Sequence, residues 1–306
     1  MPDRLTSMQI FARVAALGSF AAAGREAGMS QTMVTRHIAS LESRLGSALF
    51  HRSTRRLSLT EAGRIFLDGS QRILNDLEEV EQSVSAQRSE PRGCLRLNAP
   101  VSFAVRHLAP LLPEFHRLYP HVQIELGLND REVDLIEEGW DLTLRIKRMA
   151  SSTLKARKLA NIRFTVCASP EYLERAGTPR TIAELSEHTC LGYTLSTITS
   201  ATRWVFGAKG THSVPVQCSL LANNGDVLRE AALAGQGIIY QPVFMLADEL
   251  RRGRLVCLTL DQPVIDPAPL HAVYAPATVT PLKVRVMIDF LASHYLPQPP
   301  WEIDLP

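Results

Sequence analysis

No stretch of the 306 residues supplies the roughly 20 consecutive apolar side chains that a membrane-spanning helix needs. The first residues also lack the basic, apolar and small-residue succession of a secretory leader, so a cytoplasmic protein is expected. Cysteine is sparse. Cys94, Cys167, Cys190, Cys218 and Cys257 stand far apart with no C-x-x-C spacing, which argues against a zinc ribbon and against a disulfide framework. Burial as small apolar residues accounts for them, and a redox-active thiol stays open as the alternative. No G-x-S-x-G elbow, complete G-x-G-x-x-G or zinc-type histidine spacing occurs, so neither catalytic residues, nor a metal, nor a cofactor are expected. Gly207-Ala208-Lys209-Gly210-Thr211 has the look of a phosphate-loop fragment, but it lacks the upstream glycine spacing and reads better as a hairpin turn.

Charge of one sign is scarce over the whole chain, whose formal net charge is only +2. Taken by segment it is not. Through Phe66 there are nine arginines against four acids, whereas Leu67–Glu90 carries two arginines against six acids. A basic amino-terminal segment fits a nucleic-acid partner, because neutralising phosphates releases counterions. The acidic stretch fits a solvated helix face.

The same basic segment carries a motif. Ser19 stands at an N-cap before Phe20, Ala23, Gly24 and Ala27 at helical spacing, Gly28 can close that helix in a left-handed conformation, and Ser30 caps a second helix. Val34, Ile38, Leu41 and Leu45 form the buried arc of this second helix. Thr32, Arg36, Ala39 and Ser43 lie opposite, flanked by Gln31 and Thr35. Small polar groups and one arginine on the first turns suit entry into a major groove, so Ser19–Ile38 reads as a helix-turn-helix. Solvated surface residues and first-turn backbone caps are the plainer reading of the same side chains. Arg52, Thr54, Arg55 and Arg56 sit between apolar Leu49-Phe50 and Leu57, the pattern of a hairpin wing with a basic tip.

From Thr60, which is placed to cap it, one long helix is expected, with Phe66, Ser70, Ile73, Leu77, Val80, Val84 and Gln87 at a and d heptad positions. The apolar seam calls for a partner, either a second copy of the helix or the chain's own domains. Ser89-Glu90-Pro91-Arg92-Gly93 ends it. Beyond Gly93, strands at 94–99, 122–128, 141–146, 162–168 and 238–241 alternate with helices at 103–118, 131–138, 170–175 and 227–234. Strand 270–274 and helix 281–295 return to the first lobe. The fold class is therefore α/β, two lobes with crossing strands behind a helical winged helix-turn-helix. The expected domains are a DNA-binding domain at 1–59, a linker helix at 60–88, a hinge at 89–93 and a regulatory domain at 94–306. Its first lobe is 94–161 with 268–296, and its second is 162–267.

Ser19-Phe20-Ala21-Ala22-Ala23-Gly24, Leu49-Phe50-His51-Arg52 and Leu59-Thr60-Glu61-Ala62-Gly63 resemble the amino-terminal domain of LysR-type transcriptional regulators. Tyr119-Pro120, Glu138-Gly139-Trp140-Asp141-Leu142, Cys167-Ala168-Ser169-Pro170, His188-Thr189-Cys190 and Ala234-Gly235-Gln236-Gly237-Ile238 resemble the family's effector domain, a fold similar to type 2 periplasmic binding proteins. The wording from Cys167 to Cys190 is most similar to the CrgA-like branch. Ala27, Met33, Thr35 and Lys147-Arg148 depart from the usual family residues. The resemblance implies a homodimeric linker helix with Phe66, Ile73, Leu77, Val80 and Val84 in its seam, a tetramer built from dimers, promoter DNA and RNA polymerase as partners, and a small-molecule effector between the lobes.

Ligands of open α/β sheets sit beyond the carboxyl ends of strands. Ser102, Asn129, Arg145, Tyr193, Thr194 and Gln241 occupy such ends and match positions lining the family's cleft. Ser102 with Arg145 points to an anionic effector such as a carboxylate, although a helix cap for Ser102 and an ion pair with Asp141 for Arg145 are equally simple.

Overall fold

The computed structural model describes residues 3–52, 57–84, 90–147, 149, 153–196, 200–277 and 280–303. The chain divides into two compact units, Met1–Ser89 and Glu90–Pro306.

In the first unit, Asp3 caps α1 (Arg4–Leu17), a helix not anticipated from the sequence, and Ser19 caps α2 (Phe20–Glu26) by accepting from the Ala22 amide at 3.2 Å. Gly28 takes the left-handed conformation at φ 64°. Gly24 has no room for a side chain, because a Cβ there would stand 2.8 Å from the Met29 carbonyl oxygen. Ser30 caps α3 (Gln31–Leu45), and β1 (Phe50–Arg52) pairs with β2 (Leu57–Leu59) in an antiparallel wing. Ile10, Phe11, Val14, Ala23, Val34, Ile38 and Leu41 form the core. Leu45 departs from the expected arc: it is exposed, at the last residue of α3 before Gly46 closes the helix in the left-handed conformation. Thr60 accepts from the Gly63 amide at 2.9 Å at the start of α4 (Glu61–Val84).

The second unit holds two five-stranded sheets. The first contains β3 (Gly93–Ala99), β4 (Val122–Leu128), β5 (Leu142–Ile146), β6 (Lys155–Ile162) and β14 (Ala268–Tyr274) in the order β4-β3-β5-β14-β6. The second contains β7 (Phe164–Ala168), β8 (Thr189–Tyr193), β11 (Gln217–Ala222), β12 (Ile238–Pro242) and β13 (Val256–Cys257) in the order β11-β8-β12-β7-β13. β3 runs parallel to both β4 and β5, as βαβ connections require, whereas β14 returns antiparallel to β5 and β6. The chain crosses from the first sheet to the second through Arg163 alone and comes back through residues 258–267.

Between β3 and β4 the expected single helix is divided. It begins with α5 (Val101–Phe103), loosens at Ala104–Leu108, tightens at Ala109–Leu111 and ends as α6 (Leu112–Leu118). Pro110 and Pro113 each remove an amide donor, which prevents one regular ladder. The helix expected at 131–138 is a set of turns. Asp134 Oδ1 accepts from the amides of Ile136 and Glu137, both at 2.9 Å, and Gly139 is left-handed, so side-chain bonds replace the helical ladder.

In the second lobe, α7 (Pro170–Ala176), α8 (Gly225–Leu233) and α9 (Val243–Arg251) cover the sheet. β9 (Arg203–Phe206) and β10 (His212–Pro215) form a hairpin about Gly207 and Gly210, which disposes of the phosphate-loop reading. β6, β11 and α9 were not foreseen. Helix α10 (Leu282–Tyr295) packs on the first sheet, and Trp301 beyond it is wholly buried, its ring 4.6 Å from that of His107 and 5.2 Å from that of Tyr295. Among the described residues no helix is long and apolar enough to cross a membrane.

Candidate nucleic-acid interface and ligand cleft

Burying one face of α3 decides what the other can do. Val34, Ile38 and Leu41 are tied down against α1, leaving Gln31, Thr32, Arg36, Ala39 and Ser43 exposed and Thr35 half-buried. Thr35 donates its hydroxyl to the Gln31 carbonyl at 2.9 Å. The sequence did not disclose His37, which is buried on the core side within 2.9 Å of the Ser7 hydroxyl and anchors α3 to α1. On the wing, Arg52 lies on β1 opposite Leu57. Its side chain lies outside the described residues, as do Thr54, Arg55 and Arg56. A Cβ at Gly63 would approach the Leu49 carbonyl oxygen to 2.1 Å, so the start of α4 and the entry to the wing press together at a point only glycine permits.

Along α4 the seam divides in two. Phe66 is taken by the chain's own core, its ring 5.3 Å from that of Phe11. Ile73 is exposed and Leu77 half-buried, while the side chains of Val80 and Val84 lie outside the described residues. Ile65, one position from Phe66, is also exposed.

In the second unit a cavity of about 380 Å³ lies between the two sheets. Ser102, Asn129, Arg145, Tyr193 and Gln241 line it together; Thr194 is exposed on β8's exit and is not part of the lining. The walls are largely apolar, with Val133, Leu144, Phe164, Tyr240, Phe244 and Met245 around a few polar groups, the usual build of a small-molecule site. Gln241 is 2% exposed, and its Nε2 has no hydrogen-bond partner among the described residues, a donor left open at the cavity wall.

Two of the other nominated polar groups, Ser102 and Arg145, are engaged through their side chains. Ser102 is buried and donates to Asp226 Oδ2 at 2.7 Å, and the same carboxylate is ion-paired with Arg106. Asp130 accepts from the Val101 amide at 2.9 Å and from Asn224 Nδ2 at 3.3 Å. Partial burial is the main cause that holds its carboxyl above the ordinary aspartate range. Asp226 and Asn224 belong to the second lobe and Ser102, Arg106 and Asp130 to the first, so these contacts form a polar clasp between lobes. Asn224 Oδ1 caps α8 by accepting from the Asp226 and Val227 amides; it was not among the expected residues, nor was the reach of Asp226 across to Ser102.

Arg145 does not pair with Asp141. It donates to Glu132 at 3.2 Å, to the Val133 carbonyl at 2.9 Å and to the Thr143 hydroxyl at 3.2 Å. Asp141 is held instead by Lys283 at 3.1 Å and by the Arg96 amide at 2.9 Å. Lys147 bonds Glu132 as well, and this contact is the chief cause that lowers the Glu132 carboxyl. Burial pushes the phenols of Tyr193 and Tyr240 up to about 12, so both remain neutral donors. Tyr240 accepts from the Ile265 amide at 3.0 Å, which ties β12 to the return crossing.

Residues 5–64 match the bacterial regulatory helix-turn-helix proteins of the lysR family, and residues 88–296 match the LysR substrate binding domain. The chain belongs to the LysR family of transcriptional regulators. Among its relatives is an HTH-type transcriptional regulator of Xanthomonas campestris pv. campestris, 37% identical over 298 residues that cover 96% of this chain and 86% of the relative. CrgA of Neisseria meningitidis serogroup C is 35% identical over 294 residues, covering 96% of this chain and 97% of CrgA. The solved structure of Neisseria meningitidis CrgA superposes with a TM-score of 0.61 at 34% identity, covering 94% and 97% of the two chains. Full-length AphB of Vibrio cholerae gives 0.58 at 29% identity, covering 95% and 99%. Helix α3 thus lies within the helix-turn-helix match, and the cavity within the substrate-binding-domain match.

Proposed function

We propose that this LysR regulator binds promoter DNA through Gln31, Thr32, Thr35 and Arg36 of α3 and through the wing residues Arg52, Thr54, Arg55 and Arg56. Its grip on that DNA is set by a small molecule held between the lobes. The observation that carries the second half is the open donor of Gln241 on an apolar wall, beside a clasp that joins the two lobes. A ligand with an apolar or aromatic body and one acceptor end satisfies both, and an anionic end, a carboxylate above all, competes with Asp226 for Ser102. Asn129, Arg145 and Tyr193 border the same ligand, whereas Thr194 lies outside the cavity lining. Binding that changes the clasp changes lobe closure, and lobe closure biases how subunits pair on DNA; a tenfold change in operator affinity requires about 1.4 kcal/mol of differential ligand binding. The regulator works in the cytoplasm as a dimer or tetramer joined through α4, recruits RNA polymerase, and has no catalytic step of its own.

The test is a thermal-shift screen of aromatic and aliphatic acids with their neutral amides, followed by fluorescence anisotropy on promoter DNA. A ligand that raises the midpoint by mass action and shifts operator affinity supports the reading. A ligand that binds equally well to a Gln241→Leu variant refutes the place assigned to it.

A further inference from the structure

At one edge of the second sheet the register sets Cys257 of β13 directly opposite Cys167 of β7. The Leu258 amide donates to the Val166 carbonyl at 2.9 Å, so the neighbouring pair is the hydrogen-bonded one and Cys167 with Cys257 is the narrow pair between bonds. Cα atoms of such a pair are about 4.5 Å apart, inside the range of about 4.4 to 6.8 Å that a disulfide spans. The two side chains share a face: Thr165, two residues before Cys167, donates its hydroxyl to Cys257 Sγ at 3.4 Å. Cys257 is exposed and Cys167 wholly buried.

We propose that Cys257 and Cys167 are a peroxide-oxidisable pair that closes to a disulfide across β7 and β13. The Cys257 thiol gives up its proton and the thiolate attacks one oxygen of hydrogen peroxide; the O–O bond breaks, the departing hydroxide takes up that proton as water, and Cys257 becomes a sulfenic acid. The Cys167 sulfur then attacks the Cys257 sulfur, its proton joins the departing hydroxyl as a second water, and two thiols have given two electrons to one peroxide. Cys257 is exposed and Cys167 wholly buried, so Cys257 meets the oxidant and Cys167, held opposite it by the register, serves as the resolving partner. β7 follows directly on the crossing at Arg163, and β13 leads into the crossing at 258–267. The bond therefore fastens the two inter-lobe connections to each other, at an edge strand otherwise only two residues long.

A second adjacent pair supplies the control. Cys190 and Cys218 oppose each other on β8 and β11, but Cys190 donates to the Leu185 carbonyl and Cys218 to the Ala201 carbonyl at 3.1 Å, and neither thiol is exposed.

The experiment uses the full-length reduced protein treated with a small excess of hydrogen peroxide, quenched with catalase, alkylated, and digested with trypsin without reductant. The expected result is a loss of two of the five thiols and one linked species joining peptides 164–175 and 255–283, which reductant separates. C257S should lose no pair of thiols, whereas C218S should link as the parent does. Circular dichroism melts check that both variants fold, and C257A replaces C257S if that variant does not. Thiol loss in C257S equal to the parent's, a link through Cys190 and Cys218, or a Cys257 sulfenic acid trapped by dimedone with no link would each overturn the proposal.

Discussion

Removing the carboxylate of Asp226 should loosen the clasp between the lobes, and the structure sets the size of the effect. Asp226→Ala takes away the acceptor of the buried Ser102 hydroxyl and the counter-charge of Arg106. A hydrogen bond to a charged group contributes about 1.5 to 3 kcal/mol, with the lower end apt here because the Asp226 side chain is 30% exposed. An ion pair in such a setting adds no more than about 1 kcal/mol. Taken together the loss is about 2 kcal/mol, which in a unit of this size lowers the thermal midpoint by about 4 to 8 °C. Ser102→Ala leaves Asp226 still paired with Arg106 and should cost about half as much. Differential scanning calorimetry of both variants beside the parent measures this order. A carboxylate ligand gives a second reading, since it no longer competes with Asp226 and should restore more of the midpoint in Asp226→Ala than it adds to the parent. A midpoint for Asp226→Ala within about 1 °C of the parent, or a larger drop for Ser102→Ala, would refute the clasp.

Arg36→Ala and Arg55→Ala should each weaken operator binding without a change in melting; a phosphate contact removes about one unit of salt slope, whereas a base contact relaxes preference at one position by about 1 to 3 kcal/mol. Anisotropy titrations at several salt concentrations separate the two cases, and unchanged affinity in both variants removes the assignment. Leu77→Glu places like charges across a symmetric helix pair at a cost of several kcal/mol, about 3 to 5, and sedimentation velocity should show smaller assemblies. Parent-like sedimentation would mean that α4 is not the contact. His107 is held below its ordinary value chiefly by burial, so the unfolded chain takes up the proton first. Stability is therefore full above the ordinary histidine value of 6.5 and falls as pH drops below it. The slope of midpoint against pH should flatten in His107→Gln, which keeps a donor for the Phe244 carbonyl; an unchanged slope assigns the titration to another group.

Local chemistry made the reading head legible in advance. Ser19, Gly28 and Ser30 act within a few residues of themselves, and each does in the fold what its side chain or its lack of one dictates. The helical period then sorted Val34, Ile38 and Leu41 from Gln31, Thr32 and Arg36. It misplaced Leu45, the last residue of α3, because periodicity does not report which turns of a helix meet a neighbour. The turns at 131–138 went unseen for a related reason: Asp134 draws the amides of Ile136 and Glu137 to itself, and a pattern of apolar spacing does not register that competition.

In the ligand-binding unit, strand ends together with the family resemblance nominated Ser102, Asn129, Arg145, Tyr193, Thr194 and Gln241, and all but Thr194 line the cavity, since the cleft of an open sheet lies at its strand ends. Which of those groups is already spoken for was beyond the sequence. Ser102 and Asp226 are 124 positions apart, Asp130 and Asn224 are 94 apart, and Cys167 meets Cys257 only because β13 returns to the edge of β7. The chain's local order determined the caps of α2 and α3 and the buried face of α3. The pairing of charges, the open donor on Gln241 and the opposition of two thiols were decided by the two crossings between sheets, because electrostatic and covalent partnership depends on distance in space, which spacing along a chain does not report.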